Sequence, residues 1–346
     1  MKIAYIVPSL VNTGPIIVVH TIVKNIIDEQ ILVDVFYFDD DVILDFPCST
    51  FKIEMNSPFD FDHYDIVHSH GYRSDKFVNK WKWKIKKAKI VSTIHSDIAQ
   101  DLKFSYNRLV SLIFTPLWLN SIKKNHAVIV ISTKLENLYS KKFKKLYRIY
   151  NGVDIELDES YVDLKIMKEI EVLRERRFKI IGTYAALTKR KGIDQIINLL
   201  TFRKDLALVV IGEGNEKKKL IAQAISLGVI DRVLFFPYVI APYNYIHLFD
   251  IYAMPSRSEG FGLALVEAAL TKAAILCSDI AVFHEIFNEE QVTFFKLENL
   301  EVMSAAVDTA ILTKNIKGFN AYNHALSFFS GKIMADNYLR LYKTLL

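Results

Sequence analysis

Two carboxylates lie eight positions apart, at Glu259 and Glu267, and a Gly-Phe-Gly turn follows the first. An apolar run at 250–254 precedes the pair, and an apolar helical pattern carries the second glutamate. This order predicts a strand, a tight turn and a helix N-terminus, whose unpaired N–H groups and positive dipole end suit a phosphate. Glu259 would lie in the turn and Glu267 about a turn and a half into the helix. Taken alone, this spacing is common and also fits an exposed loop residue and an ordinary helix-surface residue.

In its Ser-Glu-Gly-Phe-Gly context, the pair resembles the Glu-x7-Glu motif of retaining glycosyltransferases with two Rossmann domains, the GT-B architecture. The likeness is greatest to family 4 (glycosyl transferases group 1), of the bacterial surface-polysaccharide type. It implies that Glu259 holds sugar hydroxyls and favours an oxocarbenium-like state, as a catalytic residue, while Glu267 binds the donor ribose. The donor-binding residues of the turn would be Gly260, Phe261 and Gly262.

Three consecutive cations, Lys189, Arg190 and Lys191, precede a helical pattern that begins near Gly192. Cations are unfavourable at the positive end of a helix dipole unless an anion lies there, and a nucleoside diphosphate would supply one. In the family, a lysine in a Lys-Gly-x-x-x-Leu context binds the diphosphate, which implies this role for Lys191. An arginine usually follows an earlier glycine of the family. Here Thr183 holds that position, and Arg190 is the candidate replacement. A solvated basic loop is the alternative.

Three further segments resemble donor-binding parts of the family. Gly212 and Gly214 follow an apolar strand pattern, without the third glycine of a dinucleotide fingerprint. Tyr238 and Val239 follow the next strand, where relatives hold the base. Gly14, in the loop after the first strand, would let the backbone approach the donor phosphate and sugar. Each glycine also fits a plain turn or the start of a helix.

Three histidines, His68, His70 and His95, occur at the ends of predicted strands in the first half. The segments around His70 and His95 resemble the acceptor-side segments of the family, and His95 is also a catalytic candidate. A lone histidine at a strand end is usually structural. No carboxylate or cysteine shares their spacing, so we expect no metal site. The resemblance implies an enzyme that needs neither a metal nor another cofactor, since the nucleotide-sugar is a substrate.

Apolar runs that are typical of buried parallel strands alternate with helical patterns along the whole chain. We predict strands at 3–7, 33–38, 65–68, 90–94 and 127–131, and then at 178–181, 207–211, 233–236, 251–254 and 274–277. The expected fold is α/β of the GT-B class, two Rossmann-like doubly wound domains that face each other across a cleft. The predicted domains are an acceptor-side domain at 1–155 and a nucleotide-sugar-binding domain at 156–330. The resemblance implies that a helix at 331–346 packs back on the first domain.

The chain has 346 residues, of which 51% are hydrophobic and 24% charged, with a formal net charge of +5. This composition favours two globular domains over disorder. Cys48 and Cys277 form neither a disulfide framework nor a metal spacing, which suits a reducing cytoplasm. We expect no signal peptide at 1–8, and no run of about 18 or more uncharged apolar residues predicts a spanning helix. The expected location is cytoplasmic, including the inner face of the cell membrane.

The segment 76–89 is strongly basic and carries Trp81 and Trp83. The resemblance places a helix here. Tryptophan beside lysine suits an anionic membrane interface, which predicts peripheral contact with an anionic membrane. A solvated helix face with two packed tryptophans is the alternative. No nucleic-acid-binding module is visible, so we expect no nucleic-acid partner.

The resemblance covers almost the whole chain and implies a retaining, hexosyltransferase-type enzyme. Its partners would be a nucleotide-sugar donor and a hydroxyl of a surface glycan: lipopolysaccharide O-antigen, capsule or another lipid-linked oligosaccharide. In the implied front-face mechanism, the leaving phosphate helps to deprotonate the acceptor, while Lys191 and Arg190 stabilise the departing charge. Two alternatives are a GT-B nucleotide-sugar epimerase, which would turn over donor without an acceptor, and a non-catalytic sugar-nucleotide or glycan-binding protein.

Overall fold

The structure, a computed structural model, describes residues 1–28 and 30–346 apart from the side chain of Glu159. The chain forms two compact units. Unit 1 comprises Met1–Asp154 and Phe329–Leu346, and unit 2 comprises Ile155–Phe328. Each unit contains one parallel sheet covered by helices, which confirms the predicted α/β class.

Unit 1 is built on a seven-stranded sheet. Its strands are β1 Lys2–Ile6, β2 Leu32–Tyr37, β3 Ser49–Lys52, β4 Ile66–His70, β5 Lys89–Ile94, β6 Ala127–Val130 and β7 Leu146–Arg148. The spatial order is β3-β2-β1-β4-β5-β6-β7, so the winding direction reverses between β1 and β4. Ligands of such sheets bind at the carboxyl ends of the strands beside that reversal. Five helices connect the strands: α1 Gly14–Ile26, α2 Tyr72–Trp81, α3 Ile98–Ser105, α4 Arg108–Ile122 and α5 Thr133–Tyr139.

Unit 2 is built on a six-stranded sheet. Its strands are β8 Lys179–Tyr184, β9 Leu206–Ile211, β10 Val233–Phe236, β11 Ile251–Met254, β12 Ile275–Ser278 and β13 Thr293–Phe295. The order β10-β9-β8-β11-β12-β13 is the doubly wound order of a Rossmann domain, with its reversal between β8 and β11. The helices are α6 Leu164–Glu175, α7 Ile193–Phe202, α8 Lys217–Ser226, α9 Leu263–Leu270, α10 Ala281–Ile286, α11 Leu300–Leu312 and α12 Lys314–Phe328.

The last helix, α13 Gly331–Leu345, belongs to unit 1 and packs on α1. Two of its tyrosines join the sheet through buried hydrogen bonds. The hydroxyl of Tyr342 lies 2.9 Å from that of Tyr5 and 2.6 Å from Nδ1 of His68. Tyr338 contributes a weaker contact, 3.5 Å from Thr93 Oγ1. Because these groups are buried, each hydrogen bond ties the end of the chain to the first unit.

The helix expected over the basic tryptophan segment is shorter than the resemblance implies. Helix α2 ends at Trp81, a 3-10 turn follows at Lys82–Lys84, and Ile85 is extended. The carboxylate of Asp62 accepts the backbone N–H groups of residues 86–88, which holds the rest of the segment against unit 1. Among the described residues, no helix is long and apolar enough to cross a membrane.

Candidate functional site

The loop between β11 and α9 carries the first glutamate at the carboxyl edge of the unit 2 sheet. Glu259 is only 8% exposed and accepts three hydrogen bonds. Its Oε1 accepts from Lys191 Nζ and from Ser256 Oγ, both at 2.7 Å. Its Oε2 accepts from Arg190 Nη1 at 3.0 Å. One carboxylate therefore holds two cations and a hydroxyl at one point.

The charge of Glu259 is set by these partners. Burial would raise the pKa of its carboxyl, but the charges of Lys191 and Arg190 and their hydrogen bonds hold that pKa below its usual value. The carboxyl is therefore ionised at neutral pH. The sequence required an anion beside the three cations, and in the described structure a side chain of the same unit supplies it.

The cations lie in a 3-10 turn, Lys189–Lys191, directly before the helix that the sequence pattern predicts. Gly192 follows with a left-handed φ of 69°, and α7 begins at Ile193. A Cβ on Gly192 would lie 2.0 Å from the carbonyl oxygen of Pro255, so glycine is required for this approach. The backbone N–H of Arg257 also donates to Arg190 O at 2.8 Å. The cationic turn and the glutamate loop are thus held together as one structure.

The second glutamate lies on the buried face of α9. Glu267 Oε2 accepts from the hydroxyl of Tyr184, at the end of β8, at 2.7 Å. Burial raises the pKa of Glu267, against the lowering effects of the Tyr184 hydrogen bond and of the charge of Lys191. The two glutamates therefore differ in electrostatics: one is held ionised by cations, and the other is hydrogen-bonded to a neutral phenol.

The turn glycines of unit 2 are fixed by packing. Gly212 has a φ of 145°, and a Cβ there would lie 2.0 Å from the carbonyl oxygen of Ala185. Gly214 has a φ of 159°, and a Cβ there would lie 2.3 Å from the carbonyl oxygen of Leu187. The plain-turn interpretation is sufficient for both. The turn at 212–214 places the end of β9 beside the segment 185–187, which leads to the cations.

The remaining predicted residues of unit 2 differ in exposure. Tyr238 is exposed and Val239 half-buried, in the segment after β10. Phe261 is buried, and Gly262 caps α9 with a φ of 120°. Thr183 is also buried, within β8.

Unit 1 places the predicted histidines together at the carboxyl ends of β4 and β5. His70 Nδ1 lies 2.8 Å from His95 Nε2. His68 is hydrogen-bonded to Tyr342 and, through Nε2, to Thr93 Oγ1 at 2.8 Å, so its role is to attach α13. Burial lowers the pKa of His95 to about 3 and lowers those of His68 and His70 well below the ordinary value. All three imidazoles are neutral at physiological pH.

The hydrogen-bond pattern assigns the tautomers of the pair. His70 Nε2 is buried and has no partner among the described residues. A buried N–H without an acceptor costs more than a bare lone pair, so the proton of His70 lies on Nδ1 and is donated to His95 Nε2. His95 then carries its own proton on Nδ1 and can donate outward.

Gly14, also predicted, begins α1 with Pro15 in its first turn.

Sequence reasoning missed two side chains of the site, Ser256 and Tyr184. Ser256 lies three positions before Glu259 and could have been found from that spacing. The pairing of Tyr184 with Glu267 has no local signal, since it depends on β8 and β11 being neighbours in the sheet. Among the described residues, no group of three or more His, Cys, Asp or Glu side chains is arranged to hold a metal ion.

Comparison with known proteins gives consistent matches along the chain. The sequence model described as "Glycosyl transferases group 1" matches residues 167–318, and that described as "Glycosyltransferase Family 4" matches residues 31–157. The O-antigen biosynthesis glycosyltransferase WclY of Escherichia coli is 32% identical over 100% of this chain and 99% of its own length.

Two solved structures show the same fold. Alr3699/HepE of Anabaena, in complex with UDP and glucose, superposes with a TM-score of 0.82 at 18% identity, covering 99% of this chain and 100% of its own. Sucrose-phosphate synthase from Thermosynechococcus elongatus superposes with a TM-score of 0.80 at 16% identity, covering 99% of this chain and 98% of its own. With a full-length relative above 30% identity, this chain belongs to the GT-B glycosyltransferases.

Proposed function

We propose that this glycosyltransferase is a retaining, family 4 enzyme that moves a sugar from a nucleoside diphosphate donor to a hydroxyl of a lipid-linked surface glycan. The observation that carries the proposal is the convergence of Arg190 and Lys191 on Glu259 beside the N-terminus of α9. Two cations and a helix N-terminus form an anion site for a diphosphate, and an ionised carboxylate beside it stabilises positive charge that develops on the sugar.

The donor diphosphate would bind Arg190 and Lys191. Of the acceptor positions of Glu259, Oε1 already has two donors, whereas Oε2 has one. A carboxylate oxygen accepts two hydrogen bonds readily, so Oε2 can take one sugar hydroxyl without losing a present partner. Departure of the diphosphate is then stabilised by the cations, and no metal or other cofactor is needed in this proposal.

Glu267 would hold the donor ribose, with Tyr184 fixing the carboxyl through Oε2. On the acceptor side, the proton of His95 Nδ1 makes it a hydrogen-bond donor to a bound sugar, while His70 positions the ring. A donor at this place cannot act as a general base. The proton of the acceptor hydroxyl would therefore pass to the leaving phosphate, as a front-face mechanism with retention requires.

The proposed donor nucleotide is UDP, because the structural neighbour HepE was solved with UDP and glucose. The proposed acceptor is an O-antigen or a related lipid-linked glycan, because WclY is an O-antigen biosynthesis glycosyltransferase. Use of a nucleotide-sugar would place the reaction on the cytoplasmic face of the membrane, with peripheral contact to that membrane.

The proposal is tested by titrating UDP in the presence of EDTA. Binding should persist, and UDP at 100 times its dissociation constant should stabilise the protein by about 2.7 kcal/mol. Lys191→Ala should weaken UDP far more than uridine, since only UDP carries the diphosphate. Strict dependence on Mg²⁺, or equal losses for both ligands, would contradict the assigned phosphate site. Donor turnover without any acceptor would favour the epimerase alternative.

A further inference from the structure

Helix α4 exposes apolar side chains where a surface helix usually exposes charged ones. Residues 109–122 include no charged side chain, yet the helix lies at the surface of unit 1. Leu109 and Leu112 are 67% and 65% exposed, and Ile113, Phe114 and Leu117 are exposed as well. Since a surface helix normally directs its charged residues toward water, this apolar stripe points to a partner that is not water.

The inward side of the helix shows that the stripe is held outward by the fold. Ser111 is buried and donates to Ala99 O at 2.7 Å. Trp118 Nε1 donates to the buried carboxylate of Asp75 at 2.7 Å. Leu119 and Ile122 complete the buried side. These specific bonds fix the rotation of the helix about its axis, so its outer leucines cannot turn into the core.

Aromatic side chains extend the stripe at both ends. Phe104 and Tyr106, in the turn that leads into α4, are exposed. At the other end, Lys82 Nζ donates to Asn125 Oδ1 at 2.7 Å, which places the 3-10 turn of Trp83 beside the end of α4. Trp83 is itself 76% exposed. We call Phe104, Tyr106, Trp83 and the outer residues of α4 the apolar face.

Cations lie at both ends of α4. Lys103 precedes α4, Arg108 is its first residue, Lys123 and Lys124 follow it, and all four are exposed. No Asp or Glu occurs in 102–135. An apolar stripe with aromatic ends and a basic border matches the boundary between acyl chains and anionic headgroups.

A second copy of the chain fits this surface less well. A two-fold contact would place the same patch of each copy against the other, which brings its cations together, and the segment 102–135 has no carboxylate to pair with them. Repulsion of this kind is absent at an anionic bilayer.

We infer that the apolar face is a membrane-docking surface whose occupant is an anionic lipid bilayer. The inference deepens the proposed function, because it rests on the acceptor being lipid-linked. It also revises the surface expected from the basic segment 76–89. Lys82 is bonded to Asn125, and Lys80 Nζ donates to Asn56 Oδ1 at 2.7 Å, so part of that segment serves unit 1 itself. The inserting element is α4.

The test is co-sedimentation of the full chain with vesicles of phosphatidylcholine alone or mixed with an equal amount of phosphatidylglycerol. Wild type should bind the mixed vesicles, and binding should fall as salt rises. The triple variant Leu109→Gln, Leu112→Gln, Leu117→Gln should partition onto the mixed vesicles on the order of tenfold less than wild type, or more weakly still. The matched control Leu312→Gln, Ile316→Gln, Phe319→Gln removes apolar side chains of unit 2 that are at least as exposed, and should bind like wild type.

The basic border has its own pair of variants. Replacing Lys103, Arg108, Lys123 and Lys124 by Gln should remove the preference for phosphatidylglycerol. The same change at four exposed lysines of unit 2, Lys165, Lys168, Lys204 and Lys218, alters the net charge equally and should not.

Three results would overturn the inference: wild type that ignores mixed vesicles at low salt, an α4 variant that still binds, or equal loss in the unit 2 control. A wild-type dimer that the α4 changes convert to a monomer would assign the face to a second copy instead. UDP stabilisation is measured on every variant and should not change. If vesicles bind but UDP does not, the docking surface stands and the proposed function fails.

Discussion

The assignment of Glu259 as the counter-ion of two cations predicts opposite effects of one substitution on stability and on diphosphate binding. Glu259→Gln keeps the size of the side chain and removes its charge. Opposite unit charges attract by about 4 kcal/mol at 4 Å and an effective dielectric constant of 20. Loss of one partner of a fully buried pair costs about 3–5 kcal/mol, because the other charge is left without compensation.

That range must be reduced for this site. The side chains of Arg190 and Lys191 are 26% and 17% exposed, so water recovers part of what the carboxylate provides. We therefore expect a loss of about 2 kcal/mol in the free energy of unfolding of unit 2. Once the competing carboxylate is removed, however, both cations are available to a diphosphate. UDP should bind the variant about tenfold more tightly, which is 1.4 kcal/mol, while transfer from the nucleotide-sugar falls.

The measurements are chemical denaturation with and without UDP, and calorimetric titration of UDP with EDTA present. A matched control is Glu298→Gln, which removes an exposed carboxylate paired with Arg257 of the same unit and should leave UDP affinity unchanged. Unaltered stability of Glu259→Gln, together with equal or weaker UDP binding, would refute the counter-ion reasoning. Full transfer by that variant would separately remove Glu259 from the reaction.

Three further outcomes are expected. Burial raises the pKa of Asp75 to about 6, against the lowering effect of the hydrogen bonds that it accepts. Because the folded state favours the protonated carboxyl, the free energy of unfolding of unit 1 should fall by about 3 kcal/mol as the pH rises from near 4 to above 6. Asp75→Asn should flatten this pH dependence, measured by urea denaturation. Tyr342→Phe leaves buried His68 Nδ1 without its partner and should cost unit 1 about 1–3 kcal/mol, measured by the same melts. Gly192→Ala places a Cβ against the Pro255 carbonyl and should lower both the melting temperature and the affinity for UDP, measured by thermal shift.

Sequence pattern located most of the buried strands because their signal is continuous. Both Val233–Phe236 and Ile251–Met254 were predicted with the bounds that the structure has. The missed strands are β3, β7 and β13, which are short and pair on one side only. An edge strand of this kind needs no apolar run, and all four residues of β3 are exposed. Strand β3 is ordered by its pairing with β2, and a local sequence pattern cannot show that pairing.

The motifs predict the residues of the candidate site, but they do not predict the contacts among those residues. The sequence assigned the cations to a ligand and Glu259 to a sugar as separate roles. Their direct contact follows from the order of β8 and β11 in the sheet, which brings the 189–191 turn against the loop after β11. Likewise, the apolar run of α4 is typical of a buried helix. The hydrogen bonds of Ser111 and Trp118, together with side-chain exposure, show that Leu109, Leu112 and Leu117 face outward.

The two glutamates show how one residue type can have opposite pKa shifts within one motif. Both are buried, and burial alone raises the pKa of each. At Glu259 the two cations outweigh burial, so its negative charge is fixed beside the place where the proposed sugar cation develops. At Glu267 the hydroxyl of Tyr184 and the charge of Lys191 do not outweigh burial, and the carboxyl is held mainly as a hydrogen-bonding group. The eight-residue spacing places one in the loop and the other on the helix, and that difference in position sets the direction in which the pKa of each carboxyl is shifted.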